Sequence, residues 1–321
     1  MQQPPQIPTS QNHTHLFGVF FAFLGFSSFA IGDTGYKWLM QGHPFFTILF
    51  VGSIIAVSSM LAYVPIGGGI KLLKTSVPKL QISRALVITA QFLLSIYSIR
   101  YLPLPLFYTL AFTAPFMSAV LGMIFLKERV SKNNWVAIIV GLCGVCVALK
   151  PWTSLMGHSF DYNIVAICGI ICASVFLATS QILARLIGQK SNDSGFTTAF
   201  YPIFCVLIIS GFLVISGGNI DTVFALNHTE YLIVGFAAFC GISGNVFLAI
   251  GFAKAPPALA APFHYTQIIW AIIFGTLIFN DPIDAPMIMG AILVISSGVY
   301  LITHKIHSAK QVADEPAITQ I

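Results

Sequence analysis

PLPLFYTLAFTAPFMSAVLGMIFLKE, Pro103 to Glu128, and PPALAAPFHYTQIIWAIIFGTLIFND, Pro256 to Asp281, align as a diverged copy 153 positions apart. Pro103 falls on Pro256, Leu106 on Leu259, Thr113 on Thr266, Gly122 on Gly275 and Glu128 on Asp281. Both stretches lie inside long apolar runs. A repeat of that length predicts a molecule built twice from one plan.

The solvent for that plan follows from composition. The 321 residues are 57% hydrophobic and 8% charged, with a mean hydropathy of +0.88. A soluble domain carries about 25% charged residues, so the chain is solvated mainly by lipid. Apolar runs near the roughly 20 residues needed to span a bilayer occur at Leu16–Leu39, Phe45–Val64, Leu80–Ser98, Pro103–Leu126 and Trp135–Leu149. A second set occurs at Ile164–Leu186, Phe196–Ile215, Tyr231–Phe252, Pro257–Phe279 and Ala285–Ile302. The fold class expected is all-α integral membrane with ten transmembrane helices. Starting the N-terminus in the cytoplasm puts 12 of the 15 Lys and Arg residues on the cytoplasmic side, as the positive-inside rule requires. The net charge of +5 then records orientation in a bacterial inner membrane and is no nucleic-acid footprint.

The first apolar run follows Met1–His15, which holds no Lys or Arg, so it reads as a retained anchor and not a cleaved signal. Residues 1–15 and 304–321 read as cytoplasmic tails, disordered at Met1–Ser10 and Gln311–Ile321. Cys143 and Cys146 stand in GLCGVCVAL, with no His or acidic residue nearby. They read as small residues at a helix contact, and neither a metal, a cofactor nor a disulfide is assigned.

Five runs per half give each half an odd number of crossings, so the second copy, 151–303, enters the bilayer inverted relative to the first, 16–150. Inverted repeats are a signature of secondary transporters, whose substrate sits near the midplane where the halves meet. The first and sixth helices echo each other faintly, FAIGDTGYKWL (Phe29–Leu39) over FLATSQILARL (Phe176–Leu186).

Arg100 to Pro151, with its Leu-Pro turn, mid-span proline, Leu-x-Glu-Arg end and Gly-rich fifth helix, resembles the hallmark segment of the EamA-type drug/metabolite transporters, and Ala253–Pro282 is similar. GDTGYKWL, HPFFTILF and ISRAL look most like the branch that includes S-adenosylmethionine uptake carriers. Members of that branch carry Asp and Lys at the end of helix one and an Arg in helix two. Asp33 and Lys37 match, whereas Val51-Gly52 stands where the Arg is expected. The resemblance implies a central cavity bordered by helices one, three, four, six, eight and nine. It also allows a homodimer contact through Gly141, Gly144, Gly290 and Gly298 of helices five and ten, although packing within one subunit accounts for those glycines equally well.

Candidate substrate-binding residues are polar or aromatic groups within spans, where they are costly. Asp33 suits an ion, a proton or a cationic group; the structural alternative is an ion pair with Lys37 one turn on. Lys37 itself reads as an interfacial anchor that snorkels. His264 and Gln267 share a face of the ninth helix, flanked by Tyr265 and Trp270, and a histidine there makes proton coupling conceivable. Gln91 heads a polar stripe with Ser95 and Ser98, and Tyr108 heads one with Thr109 and Thr113, where the hydroxyls read as helix-to-helix bonds. Gln181 and Asn245 each bring an amide that needs a partner in lipid. Pro115 and Pro262 predict bends, and Glu128-Arg129 a solvated ion pair.

No phosphate loop, zinc spacing or nucleophile elbow occurs, so the chain reads as no enzyme. The expectation is a secondary transporter moving a small organic metabolite, such as an amino acid, a nucleoside-like solute or an S-adenosylmethionine-like solute, with membrane lipid as its other partner. A multidrug or metabolite exporter of the same fold is the alternative. An integral-membrane enzyme or a structural protein would explain mid-span polar groups and inverted halves less well.

Overall fold

The computed structural model describes residues 9–126, 132–150, 162–191, 193–254 and 261–314. Among the described residues every regular element is a helix, as backbone in lipid requires when each N–H and C=O must be satisfied within its own segment. In chain order they are α1 (Thr9–Leu39), α2 (Phe45–Gly67), α3 (Pro78–Tyr101), α4 (Leu104–Ala111), α5 (Ala114–Leu126) and α6 (Lys132–Leu149). There follow α7 (Ile164–Lys190), α8 (Gly195–Ser216), α9 (Ile220–Phe224), α10 (His228–Lys254), α11 (Thr266–Phe279) and α12 (Ala285–Asp314). Two 3-10 turns, Gly69–Leu73 and Ala261–Tyr265, follow α2 and precede α11.

Among the described residues six helices are long and apolar enough to cross a membrane, those of α1, α2, α3, α7, α8 and α10. Shorter apolar helices fill Leu104–Ser118, Trp135–Leu149, Phe263–Phe279 and Ala285–Tyr300. Three differences from the sequence reading have local causes. The fourth run is two helices, broken after Ala111, and the ninth begins as a 3-10 turn. The terminal helices also reach into both segments read as tails, from Thr9, directly after Pro8, and on to Asp314, before Pro316. Polar residues without Gly or Pro can extend a helix that an apolar span has already nucleated. Glu128, Arg129, Pro256 to Ala260 and the outermost tail residues lie outside the described residues.

The helices pair across the two halves: α1 lies along α10, α3 along α7, α6 along α12, α2 against α8 and α4 against α11. Small residues permit the closest of these approaches. A Cβ on Gly144 would meet the Gly290 carbonyl at 2.9 Å, and one on Gly290 the Gly144 carbonyl at 2.5 Å, so these glycines pack α6 on α12 inside one chain.

Two hydrogen-bonded clasps close opposite ends of the α2–α8 region. At one, Thr47 and Thr222 Oγ1 atoms lie 2.6 Å apart and His43 Nε2 is 2.8 Å from Glu230 Oε1. Glu230 and Asn227 also exchange backbone-to-side-chain bonds at the start of α10, a reciprocal cap. At the other, Thr197 donates to the Leu72 carbonyl at 2.8 Å and Gln81 to Asp193 at 2.8 Å. Partial burial raises the Asp193 carboxyl, but hydrogen bonds from Thr75, Gln81, the Ser76 N–H and Ser191 outweigh it and hold the group below its ordinary value.

Candidate functional site

The site begins at the interruption of the fourth apolar segment. Pro115 has no N–H, so the carbonyl of Ala111, four residues earlier, loses its helical donor. The chain turns at Phe112 and Thr113, whose N–H groups bond Tyr108 O and Leu110 O, each at 3.0 Å. Ser174 on α7 places its Oγ 3.3 Å from the freed Ala111 carbonyl and 3.0 Å from Ile170 O. Phe112 and Thr113 are 0% and 2% exposed, the condition under which irregular backbone is tolerated at membrane depth. The bend expected at Pro115 is therefore a break two residues earlier, because the proline sits in the first turn of α5 and a neighbouring helix satisfies the carbonyl it frees.

Around this break α1, α4 and the Ala261–Tyr265 turn converge. Tyr108 Oη donates to Asp33 Oδ2 at 2.7 Å. The Phe112 ring lies 4.8 Å from His264 and 4.9 Å from Tyr265, edge to face in both cases. His264 also stacks on Phe26 of α1 at 4.7 Å and is hydrogen-bonded to Gln267. Trp270 Nε1 donates to Ser27 Oγ at 2.9 Å. Tyr265 Oη is buried without a hydrogen-bond partner among the described residues. The structure thus unites Asp33, Tyr108, His264, Tyr265, Gln267 and Trp270, and it adds Phe26, Ser27 and Phe112. A sequence offers only apolar spacing for the two phenylalanines, so they read there as ordinary core.

Gln91, Gln181 and Asn245 make their hydrogen bonds elsewhere. Gln91 donates to Ser95 at 3.1 Å on its own helix, and Asn245 to Gly241 O at 2.8 Å on its own. Gln181 is exposed and accepts from Ser118 at 2.8 Å. The hydroxyls of Thr109 and Thr113 are spent on carbonyls of their own chain segment. His264 lies in the 3-10 turn rather than two turns into a helix.

Lys37 is the clearest correction. It is 5% exposed, and its ammonium donates to Asp281 Oδ2 at 3.0 Å and to the Leu102 carbonyl at 2.9 Å, with the Phe279 ring centroid 4.6 Å away. It neither snorkels nor pairs with Asp33. The cause is the tight turn between α3 and α4, whose helix-end groups lack intrahelical partners. Lys37 satisfies the Leu102 carbonyl, and Asp281 Oδ2 accepts the Leu104 N–H at 2.8 Å. Asp281 is aimed there by Asn280, which adopts a left-handed φ of 52°, as residues that end helices often do, while the Asp281 N–H bonds Gly275 O at 2.8 Å. Breaking such a buried pair by removing one partner costs about 3–5 kcal/mol. The signal in the sequence was Asn280-Asp281-Pro282, a helix stop carrying an acid, which reads as a solvated loop when taken alone.

Comparison with known proteins agrees with this architecture. The sequence profile of the EamA-like transporter family matches residues 16–150 and again 164–303. The S-adenosylmethionine uptake transporter of Rickettsia conorii is 25% identical over 299 residues, covering 90% of this chain and 93% of that protein. The pseudopaline exporter of Pseudomonas aeruginosa is 24% identical over 285 residues, covering 88% and 95%. A crystal structure with 14% sequence identity superposes with a TM-score of 0.60 over 93% of this chain and 99% of that one, a likeness of fold. With both halves matched by one profile, the chain is an integral membrane protein that belongs to the EamA-like transporter family.

Proposed function

We propose that this small-molecule transporter carries an organic solute with a cationic centre, by alternating access between two inverted five-helix halves, 16–150 and 151–303. The observation that carries the reading is Asp33: a carboxylate within a span, beside a helix break, held by the Tyr108 hydroxyl while the lysine one turn away is engaged elsewhere. Broken helices at mid-membrane mark transporter sites because they expose backbone and side-chain groups to a solute. The rings of Phe26, Tyr108, Phe112 and Trp270 would flank a cation face-on, with His264 and Gln267 offering polar contacts.

The pairing of helices supports the inversion. Exchanging each of the ten apolar segments for its counterpart in the other half turns the α1–α10 pair into the α7–α3 pair, and leaves α2–α8, α4–α11 and α6–α12 as they are. Phe112 and Tyr265 are 153 positions apart, the offset of the repeat, and their rings touch; residues exchanged by a two-fold axis touch only beside that axis. The distribution of Lys and Arg favours an inner-membrane location with both termini cytoplasmic. Without a nucleotide-binding motif the driving force is a gradient or exchange. The relatives named for S-adenosylmethionine and pseudopaline make those solutes the first to assay, inward and outward.

In proteoliposomes loaded on either side with S-adenosylmethionine, basic and neutral amino acids and nucleosides, at least one cationic solute should move. Asp33→Asn should slow it by about 10-fold or more with insertion intact. Transport of every cationic solute at the unaltered rate in Asp33→Asn removes Asp33 from the site.

A further inference from the structure

We propose that Lys37 is a switch between two carboxylates. On Asp281 it latches shut the end of the solute path formed by α1, the α3–α4 turn and α11, and when released it swings one helical turn to Asp33 and displaces the transported cation. The inference rests on the reading of Asp33 as the cation site.

The latch is built from four groups on three segments. Lys37 Nζ on α1 holds Asp281 beyond α11 at 3.0 Å and Leu102 O at the end of α3 at 2.9 Å. Asp281 in turn takes the Leu104 N–H that opens α4 at 2.8 Å. The two side chains are 6% and 11% exposed, so the charges close this end with little water between the helices. Opening that end requires α11 to leave α1, and Asp281 leaves with it.

A buried ammonium stripped of its carboxylate needs another. Asp33 is four residues back on the same helix, where side chains at i and i+4 are neighbours, and Tyr108 gives it a hydroxyl and no charge. The charge balance of the three groups is one negative. With the latch shut, that charge is available at Asp33 for one solute cation; with the latch open, Lys37 fills it. Solute and Lys37 therefore exclude each other at Asp33, and by reciprocity a bound cation holds the latch shut. Release is tied to opening at the Asp281 end, because the same motion frees the competitor.

The test needs no solute. Spin labels at exposed Gln41 and Ile278, in a background with the native cysteines replaced, report the width of this end. Asp281→Asn should lengthen that distance, and Lys37→Met should do the same without leaving a buried cation, which keeps the latch testable if Asp281→Asn folds poorly. No lengthening in either variant overturns the latch. The coupling between Lys37 and Asp33 is then measured by a cycle of Lys37→Met and Asp33→Asn in the unfolding equilibrium, first with Asp281 present and then with Asp281→Asn. The switch predicts a coupling factor larger by about five-fold or more once Asp281 is neutral. An unchanged factor overturns the switch, and neither result depends on whether Asp33→Asn slows transport.

Discussion

Asp33 and Lys37 stand one turn apart, yet each takes its partner from a different segment, and the proposed cation site rests on that division. A lysine satisfied by Asp281 leaves the carboxylate of Asp33 to the Tyr108 hydroxyl. Tyr108→Phe keeps the ring contacts with Phe107 and Phe112 and removes only that hydrogen bond. It should slow transport by about 10-fold, a charged hydrogen bond being worth about 1.5–3 kcal/mol. Added to Asp33→Asn it should do little more, because both changes delete one interaction; fully multiplicative losses in the double variant would mean the two act apart. In the sequence each residue stands alone as a polar group in a span. Their pairing was not legible, since nothing in one helix specifies which face of another it meets. Gln91 and Asn245 stand apart from the Asp33 cluster for a related reason. An amide in lipid takes a reachable acceptor, and both found one a turn away on their own helix.

At the scale of elements, the interrupted fourth segment shows how a proline's effect is settled by its surroundings. Pro115 was visible in the sequence, and so was the freed carbonyl it implies. The location of the break was not, because it depends on Ser174 of α7 reaching Ala111 O and on full burial of Phe112. Ser174→Ala leaves that carbonyl unsatisfied and should destabilise the protein by about 1–3 kcal/mol, read as a lower denaturation midpoint in detergent, while Ser174→Thr should retain most of the stability. Equal midpoints for Ser174→Ala and the unaltered protein would mean another donor serves Ala111. The seam between α6 and α12 was better foreshadowed, since glycine spacing alone suggested close packing. Gly290→Ala drives a Cβ into the Gly144 carbonyl and should cost about 1–3 kcal/mol by overpacking on the same measurement.

For the whole molecule, hydrogen bonds lend support to the repeat that is faint in letters. Thr197 follows Thr47 by 150 positions, and Thr222 follows Leu72 by the same interval. The bonds Thr47–Thr222 and Thr197–Leu72 are therefore counterparts, one in each clasp. Asp193 follows His43 by 150 positions and Glu230 follows Gln81 by 149, so the Gln81–Asp193 and His43–Glu230 bonds correspond to within one residue. Sequence alone did not reveal this because the interacting groups differ in chemistry, a carbonyl in one clasp doing what a hydroxyl does in the other. Thr47→Val and Thr197→Val, both at buried positions, should each lower stability by about 1 kcal/mol and by similar amounts; a loss confined to one of them would deny the equivalence.

Both clasps are fastened in the same conformation, and that constrains the machinery. Under the alternating access proposed above, contacts that hold at both ends in one conformation suit bearings better than doors, because each door has to open once in the cycle. The segments they join, the linkers beside α2 and α8 with the starts of α3 and α10, would then form a stator held at both ends of that helix pair. The stroke of the proposed cycle would then fall to α1, α4 and α11, which carry the Lys37–Asp281 ion pair at one end only among the described residues. A motor laid out this way can be stiffened at its bearings without slowing its stroke, so changes that thermostabilise the Thr47 and Thr197 ends should leave turnover intact.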